Sequence, residues 1–460
     1  MFKNWFKTVW QNIRDHFNHL SFYPNLILYI FLLTFEPLPS IAQVKIVKPD
    51  SFLDSKPFIG WAKCHAFPLE NCDSVTSSAD LQPLKKIIGN AHVVALGEPA
   101  HGLHELLAFR NRMFRFLVEN CGFTTIILEA NISSSRYGAD YISGGRGTAE
   151  YAAQKLTIGK PAVENIELLQ WMRKYNADTS HHSKLKFYGM DMEIQGYPGD
   201  TTPSHPALDE ALNYLTAVDS ATANKIAFAV EPYINRLSVA KYPLLSLEEH
   251  DKLSAILSDM IALFERERIN FIAATSKERF EWAYRNAIVA QQTDRIVRVS
   301  PPDQPDQIPP GAWMTMSTRD AAMAENVMWT LNYRAEKGKV LVFAHNAHVK
   351  NAVTFGSVWN AFAQPPNSTG QYLRLMLDSN LVIIGSSCFP SIATAQPGSL
   401  DSALSKVGKP CFILDIRKVA EDPVESWLAE KHPMEANQVS YLILRPNQAF
   451  DALLFLNKKK

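Results

Sequence analysis

AHVVALGEPAHG, residues 91–102, places a short apolar run directly before a glycine, a glutamate and a histidine. Ala91–Leu96 is rich in Val and Leu and too short for a helix, so it reads as a buried strand. Four more runs of the same character follow: Thr124–Leu128, Leu185–Tyr188, Lys339–Ala344 and Leu381–Ile384. Helical spacing fills the stretches between them, and that alternation predicts an α/β fold, a mainly parallel sheet flanked by helices. From about residue 205 to 334 every pattern is helical: Leu208–Ala217, Leu247–Arg268, Lys277–Val299 and Thr318–Arg334. This stretch predicts a helical insertion, a subdomain or lid. The prolines at 301, 302, 305, 309 and 310 break it with what reads as an exposed loop. Gly144-Gly145-Arg146-Gly147 follows a helical pattern without phosphate-loop spacing, and reads as a turn.

With 47% hydrophobic residues over 460 positions, the chain can bury a large core in one domain or two. Lys plus Arg and Asp plus Glu both total 46, so no basic surplus points to nucleic acid. A small, weakly charged substrate fits better. At the N-terminus, Lys3, Lys7 and Arg14 precede the apolar run Leu26–Leu33, then Pro37, Pro39 and the small-residue step Ser40-Ile41-Ala42. That order is a signal peptide's or an uncleaved anchor's, which predicts an exported protein, periplasmic or secreted, touching membrane only through an uncleaved segment. Of the five cysteines, Cys64 and Cys72 could close a small loop, Cys121 reads as a buried thiol, and Cys388 and Cys411 form no metal framework with the rest.

Ionisable residues collect where the strands end. The first four runs lead into Gly97-Glu98-Pro99-Ala100-His101, into Glu129, into Gly189-Met190-Asp191 and into His345-Asn346-Ala347-His348. In parallel sheets ligands bind at the C-terminal edge, because loops and helix N-termini converge there. Any one of these carboxylates could merely cap a helix; four strands delivering such groups together point to a site. Leu103, Leu106, Leu107, Phe114 and Leu117 mark the buried stripe of the next helix, and Arg110 falls on it. A guanidinium there should pair with a buried carboxylate such as Glu98 or Glu129, unless it snorkels to solvent. Arg112 and Arg115 lie off the stripe and read as surface charges. Histidine suits general-base work near neutrality, and Glu98 is close enough in sequence to orient His101. His345 and His348 could present two imidazoles to one place, and a divalent metal with a carboxylate as third ligand is an alternative. Neither HExxH nor GxSxG occurs, so the zinc-protease helix and the serine nucleophile elbow are absent.

The string VVALGEPAHGLHELLAFRNRMFRFLVENCGFTTIILEAN resembles the opening motif of the erythromycin esterase family. WMRKYN from Trp171, FYGMDM around Asp191, TRDAAMAENVMW from Thr318, VLVFAHNAHV from Val340 and GQYLRLMLDSNLVIIGSS from Gly370 follow in order. Together the matches run from about Leu84 to Ser387, and the segment after Ser387 is not among them. Taken with the N-terminal pattern, the resemblance implies a chain divided into a leader or anchor (1–42), a lead-in (43–83) and a catalytic domain (84–460) that includes the helical insertion at about 205–334. It implies a hydrolase of carboxylic esters or lactones, with macrolide lactones as the candidate substrate, acting without cofactor, metal or covalent intermediate. His101 would be the general base, with Glu98, Arg110, Glu129, His345 and His348 in the family's other functional positions. Asp191, Arg319 and Asp320 would support the site or bind substrate. Outside catalysis, the same cleft could serve an exported ligand-binding protein.

Overall fold

The computed structural model describes residues 54–70, 78–156, 160–192, 205–234, 245–300, 310–333, 338–355, 362–389, 398–417, 419–436 and 440–457. The expected leader, Cys72 and most of the proline loop lie outside them. Ten strands occur in chain order: β1 (Phe67–Pro68), β2 (Val93–Glu98), β3 (Phe123–Asn131), β4 (Lys186–Asp191), β5 (Lys339–His345), β6 (Leu381–Phe389), β7 (Cys411–Asp415), β8 (His432–Ala436), β9 (Ser440–Leu444) and β10 (Ala452–Asn457). Eight of them build one sheet in the order β1-β7-β10-β6-β2-β5-β3-β4, and β8 and β9 pair separately. From β10 to β4 all neighbours are parallel, while β7 and β1 add antiparallel at one edge.

The five strands expected from sequence are the contiguous block β6-β2-β5-β3-β4. Each is buried on both faces, which is why each reads as a continuous apolar run. Alternate residues serve opposite layers. Val93, Ala95, Val340 and Val342 join the core under the insertion, whereas Val94, Leu96, Leu341 and Phe343 join the core under helices His104–Cys121 and Val163–Ala177.

The insertion comprises helices Pro206–Val218, Ser220–Ile234, Leu247–Arg266, Arg268–Ala274, Lys277–Val299 and Ala312–Tyr333. Ser220–Ile234 was not anticipated, and the long pattern expected to reach Arg268 breaks at Glu267 into two helices. A capping box starts Leu247–Arg266: Ser246 accepts from the Glu249 amide, and the Glu249 side chain accepts from the Ser246 amide. Gly144 and Gly147 adopt φ of 95° and 107°, so the glycine cluster is the turn expected. Of the described cysteines, Cys64 is exposed, Cys121 is half-buried, and Cys388 and Cys411 are buried.

Two expectations are corrected. Arg112 is not a surface charge; it is buried in an ion pair with Asp80 from the lead-in. Arg115 is half-buried over the ring of Trp171. Of the described residues, no helix is long and apolar enough to cross a membrane.

Candidate active site

The parallel ladder does not stop where the hydrophobic runs stop. Glu98 is the last residue of β2 and pairs in register with His345, the last residue of β5; Asn131 of β3 pairs with Asp191 of β4. The polar residues thus occupy the last rungs of the sheet itself, where backbone bonding fixes them. Gly97 permits the closest approach: a Cβ there would lie 2.1 Å from Asn346 Oδ1. The Asn346 side chain needs that space, because its Nδ2 donates to Ser386 O of β6 at 2.8 Å and its Oδ1 accepts from the Ser386 amide at 3.2 Å. Helix Asn346–Val349 is thereby pinned across the sheet edge.

Three histidines meet here in three different states. His345 Nε2 donates to Pro99 O at 2.9 Å, and its Nδ1 accepts from the Ala347 amide at 3.1 Å, which leaves a neutral ring with both nitrogens engaged. Burial, reinforced by the nearby His101, pushes its pKa down to about 3. His348 is equally buried, but its Nδ1 donates to Asp320 at 2.9 Å. Burial opposes its charge, yet Asp320 and Glu129 overcome that and lift its pKa to about 9. His101 differs from both. Its Nδ1 lies 2.7 Å from Glu98 Oε1, its side chain is 23% exposed, and its Nε2 has no hydrogen bond to any described residue. A carboxylate on Nδ1 fixes the proton there and leaves the Nε2 lone pair open. Burial lowers its proton affinity, but Glu129 and the bond from Glu98 outweigh it, so the net shift is upward.

Beneath the histidines, Arg319 of helix Ala312–Tyr333 ties the carboxylates together. Its Nη2 reaches Asp191 Oδ2 at 2.5 Å and Glu129 Oε1 at 3.1 Å, and its Nε lies 3.1 Å from Asp191 Oδ1. The other Glu129 oxygen accepts the His345 amide at 2.8 Å. His348 Nε2 sits 3.1 Å from Arg319 Nη1 and 3.3 Å from Glu129 Oε1. Its protonation decides which bond forms: neutral, it accepts from Arg319; protonated, it donates to Glu129. Asp320 is itself held by the Thr369 amide at 2.7 Å and the Thr369 hydroxyl at 2.9 Å.

Of the nine residues singled out from sequence, eight gather here: Glu129, Asp191, Arg319, Asp320, His345 and His348 are bonded together, and the Glu98–His101 pair lies beside them, with the His101 ring 5.3 Å from that of His345. Arg110 is buried on its stripe as expected, but it does not contact Glu98 or Glu129. Asn111 Oδ1 accepts from its Nε and Nη2 at 3.1 and 2.8 Å, Asn165 accepts at 2.9 Å, and the guanidinium lies 4.9 Å from the Phe343 ring. Burial without a contacting carboxylate lowers its pKa to about 10, with Glu98 and Glu164 acting only through space. Arg319 makes the pairing expected of Arg110. Thr369 and Asn346, each the first residue of its helix, are the participants that sequence reasoning missed, and a hydroxyl or amide at a helix start carries no signal of burial. The divalent-metal alternative fits this donor set poorly: both His345 nitrogens are taken by backbone groups, and a guanidinium faces His348 Nε2.

The two buried histidines should give stability a maximum in pH. For His345 the folded pKa lies below the unfolded value of about 6.5, so its contribution is complete above that pH and is lost as pH falls toward about 3. For His348 the folded pKa is raised, so its contribution is complete below about 6.5 and is lost as pH rises through about 9. Denaturation midpoints measured across this range should fall on both sides, and His348→Gln should flatten the alkaline side alone. An alkaline slope unchanged in that variant would show that His348 is not the group responsible.

A parallel sheet with a buried acid–base cluster on its C-terminal edge and one accessible imidazole defines an enzyme-like site. The erythromycin esterase family model matches residues 118–459, and the chain belongs to that family, a hydrolase family. The match extends through the segment after Ser387, which the motif resemblance had left out, and it begins after Glu98, His101 and Arg110. Erythromycin esterase type II of Escherichia coli is 24% identical over 391 residues, covering 79% of this chain and 90% of that protein. The crystal structure of a Bacillus cereus protein superposes with a TM-score of 0.72 at 26% identity, covering 88% of this chain and 98% of the other. That of a mutant erythromycin esterase, EreC, in its open conformation gives a TM-score of 0.61 at 16% identity over 83% and 94% of the two chains. The last likeness is one of fold.

Proposed function

We propose that the protein hydrolyses carboxylic esters or lactones with water activated by His101, and that macrolide lactones are among the substrates. The state of His101 carries this reading: it alone of the three clustered histidines has an open ring nitrogen and solvent access. Glu98 fixes the reactive tautomer, Nε2 takes the proton from water, and Glu98 and Glu129 stabilise the imidazolium that results. Glu129 and Glu98 act on His101 against burial and the opposing charge of His348, and the balance favours gaining a proton there. The ring hydrogens of His345 and His348 are already directed at Pro99 O, Asp320 and Glu129, so in this reading these two histidines organise the site and do not bind the carbonyl oxygen. The leader-like N-terminus would place this chemistry outside the cytoplasm, where a drug could be opened before it entered.

Isotope labelling and pH dependence test the proposal together. In ¹⁸O-water, a single turnover should put label into the product acid, with no acyl-enzyme trapped by rapid quench. The rate should fall as pH drops through the His101 pKa, which lies above the ordinary imidazole value. Glu98→Gln removes a group that raises it, so the acid limb should move to lower pH as the rate declines. A trapped acyl-enzyme, or an acid limb indifferent to Glu98, contradicts direct attack by His101-activated water.

A further inference from the structure

Helix Ala312–Tyr333 carries a second buried polar junction, seven residues beyond Arg319 and therefore on the same helical face. Asn326 is fully buried. Its Oδ1 accepts from Arg285 Nε at 2.8 Å and also from Arg285 Nη2. Its Nδ2 donates to Met190 O at 2.8 Å and to Gln292 Oε1 at 3.2 Å. Arg285 and Gln292 belong to helix Lys277–Val299 of the insertion, whereas Met190 is the residue of β4 immediately before Asp191.

Arg285 is an unusual partner for an amide. It is buried, and the only carboxylate near it among the described residues, Glu325, is exposed and 3.9 Å away. Holding a buried cation mainly on a neutral amide is expensive compared with an apolar contact of similar size. What the arrangement does provide is orientation. With Oδ1 held by a group that can only donate, the amide must present Nδ2 to Met190 O. Met190 in turn fixes the peptide that leads into Asp191, the bidentate partner of Arg319, and Arg319 contacts Glu129 and His348.

We infer that Asn326, oriented by Arg285, is a positioning residue that sets the end of β4 for the Asp191–Arg319 pair and so couples the helical insertion to the acid–base cluster. The inference deepens the esterase reading, but its decisive measurement needs no substrate.

Asn326→Asp separates the two bonds. The carboxylate still accepts from Arg285 but cannot donate to Met190 O, and it sets oxygen against oxygen. If the end of β4 shifts, Asp191 neutralises Arg319 less completely, and the freer cation opposes protonation of His348. The ¹⁵N-imidazole titration of His348, assigned with His348→Gln, should then move to lower pH by at least about half a unit. An added negative charge acting simply through space would move it upward, so the direction discriminates. A folded N326D whose His348 titration is unchanged or raised overturns the inference. Should N326D not fold, Arg285→Met serves: it frees the amide to turn, and the same downward shift is expected even though loss of a cation alone would act upward. No shift or a rise in folded R285M likewise overturns it. Ester hydrolysis should fall in both variants while KM changes little. Absence of hydrolysis by the parent enzyme would count against the esterase reading and leave the titration to decide the positioning role.

Discussion

His101→Ala lowers ester turnover by at least about 100-fold, the lower range for removal of a general base, and leaves the fold intact. The ring lies at the mouth of the cluster, partly exposed, and its side chain bonds only Glu98 among the described residues. Removing it opens space that water can fill and strips no packing from the sheet. The melting temperature should therefore move little while kcat collapses. His101→Gln is the sharper companion, because its amide can still reach Glu98 but cannot take up a proton, so it should be as slow as the alanine variant. Near-normal turnover by either folded variant would end the assignment of His101 as base.

Arg319→Met acts on stability as strongly as on rate. The methionine stem fills much of the volume, yet Glu129 and Asp191 lose their shared cation in a buried setting. Breaking such a pair from one side costs about 3–5 kcal/mol. His348 loses a neighbour too, so its balance between Glu129 and Arg319 disappears. Arg319→Lys keeps a charge but not a planar fork able to hold Asp191 bidentately while reaching Glu129, so it should recover only part of the loss. Thermal melting and turnover unchanged in Arg319→Met would show that the carboxylates find other partners.

The contrast between Arg319 and Arg110 shows where sequence reading stops. Both arginines fall on buried helix faces, and both could be predicted to seek carboxylates. Which one reaches Glu129 depends on strand order: β5 lies between β2 and β3, and helix Ala312–Tyr333 packs on β4 at the far end. No periodicity in a single chain encodes that order. Strand interiors were legible because two-sided burial leaves a continuous apolar run, but their ends were not. Glu98, Asp191 and His345 are polar residues held in the ladder by backbone bonds, and hydropathy marks them as loop. Ala452–Asn457 reads ALLFLN and carried the same apolar signal as the five strands recognised; β10 was overlooked despite it. Arg112 was misplaced because its partner Asp80 comes from the lead-in, whose fold no pattern announced.

Seating Glu98, Asp191 and His345 on the last rungs of their strands, with Glu129 inside β3, has a consequence for how this chain tolerates insertions and deletions. Side chains alternate between the faces of a strand, so gaining or losing a single residue within β2, β3, β4 or β5 would turn its polar end to the opposite face. Length changes in the connections carry no such penalty, because they leave the register untouched. The polar residues at these strand ends are therefore locked to the spacing of the sheet. Variation in length is free to accumulate in the connecting loops, where added or missing residues shift no rung.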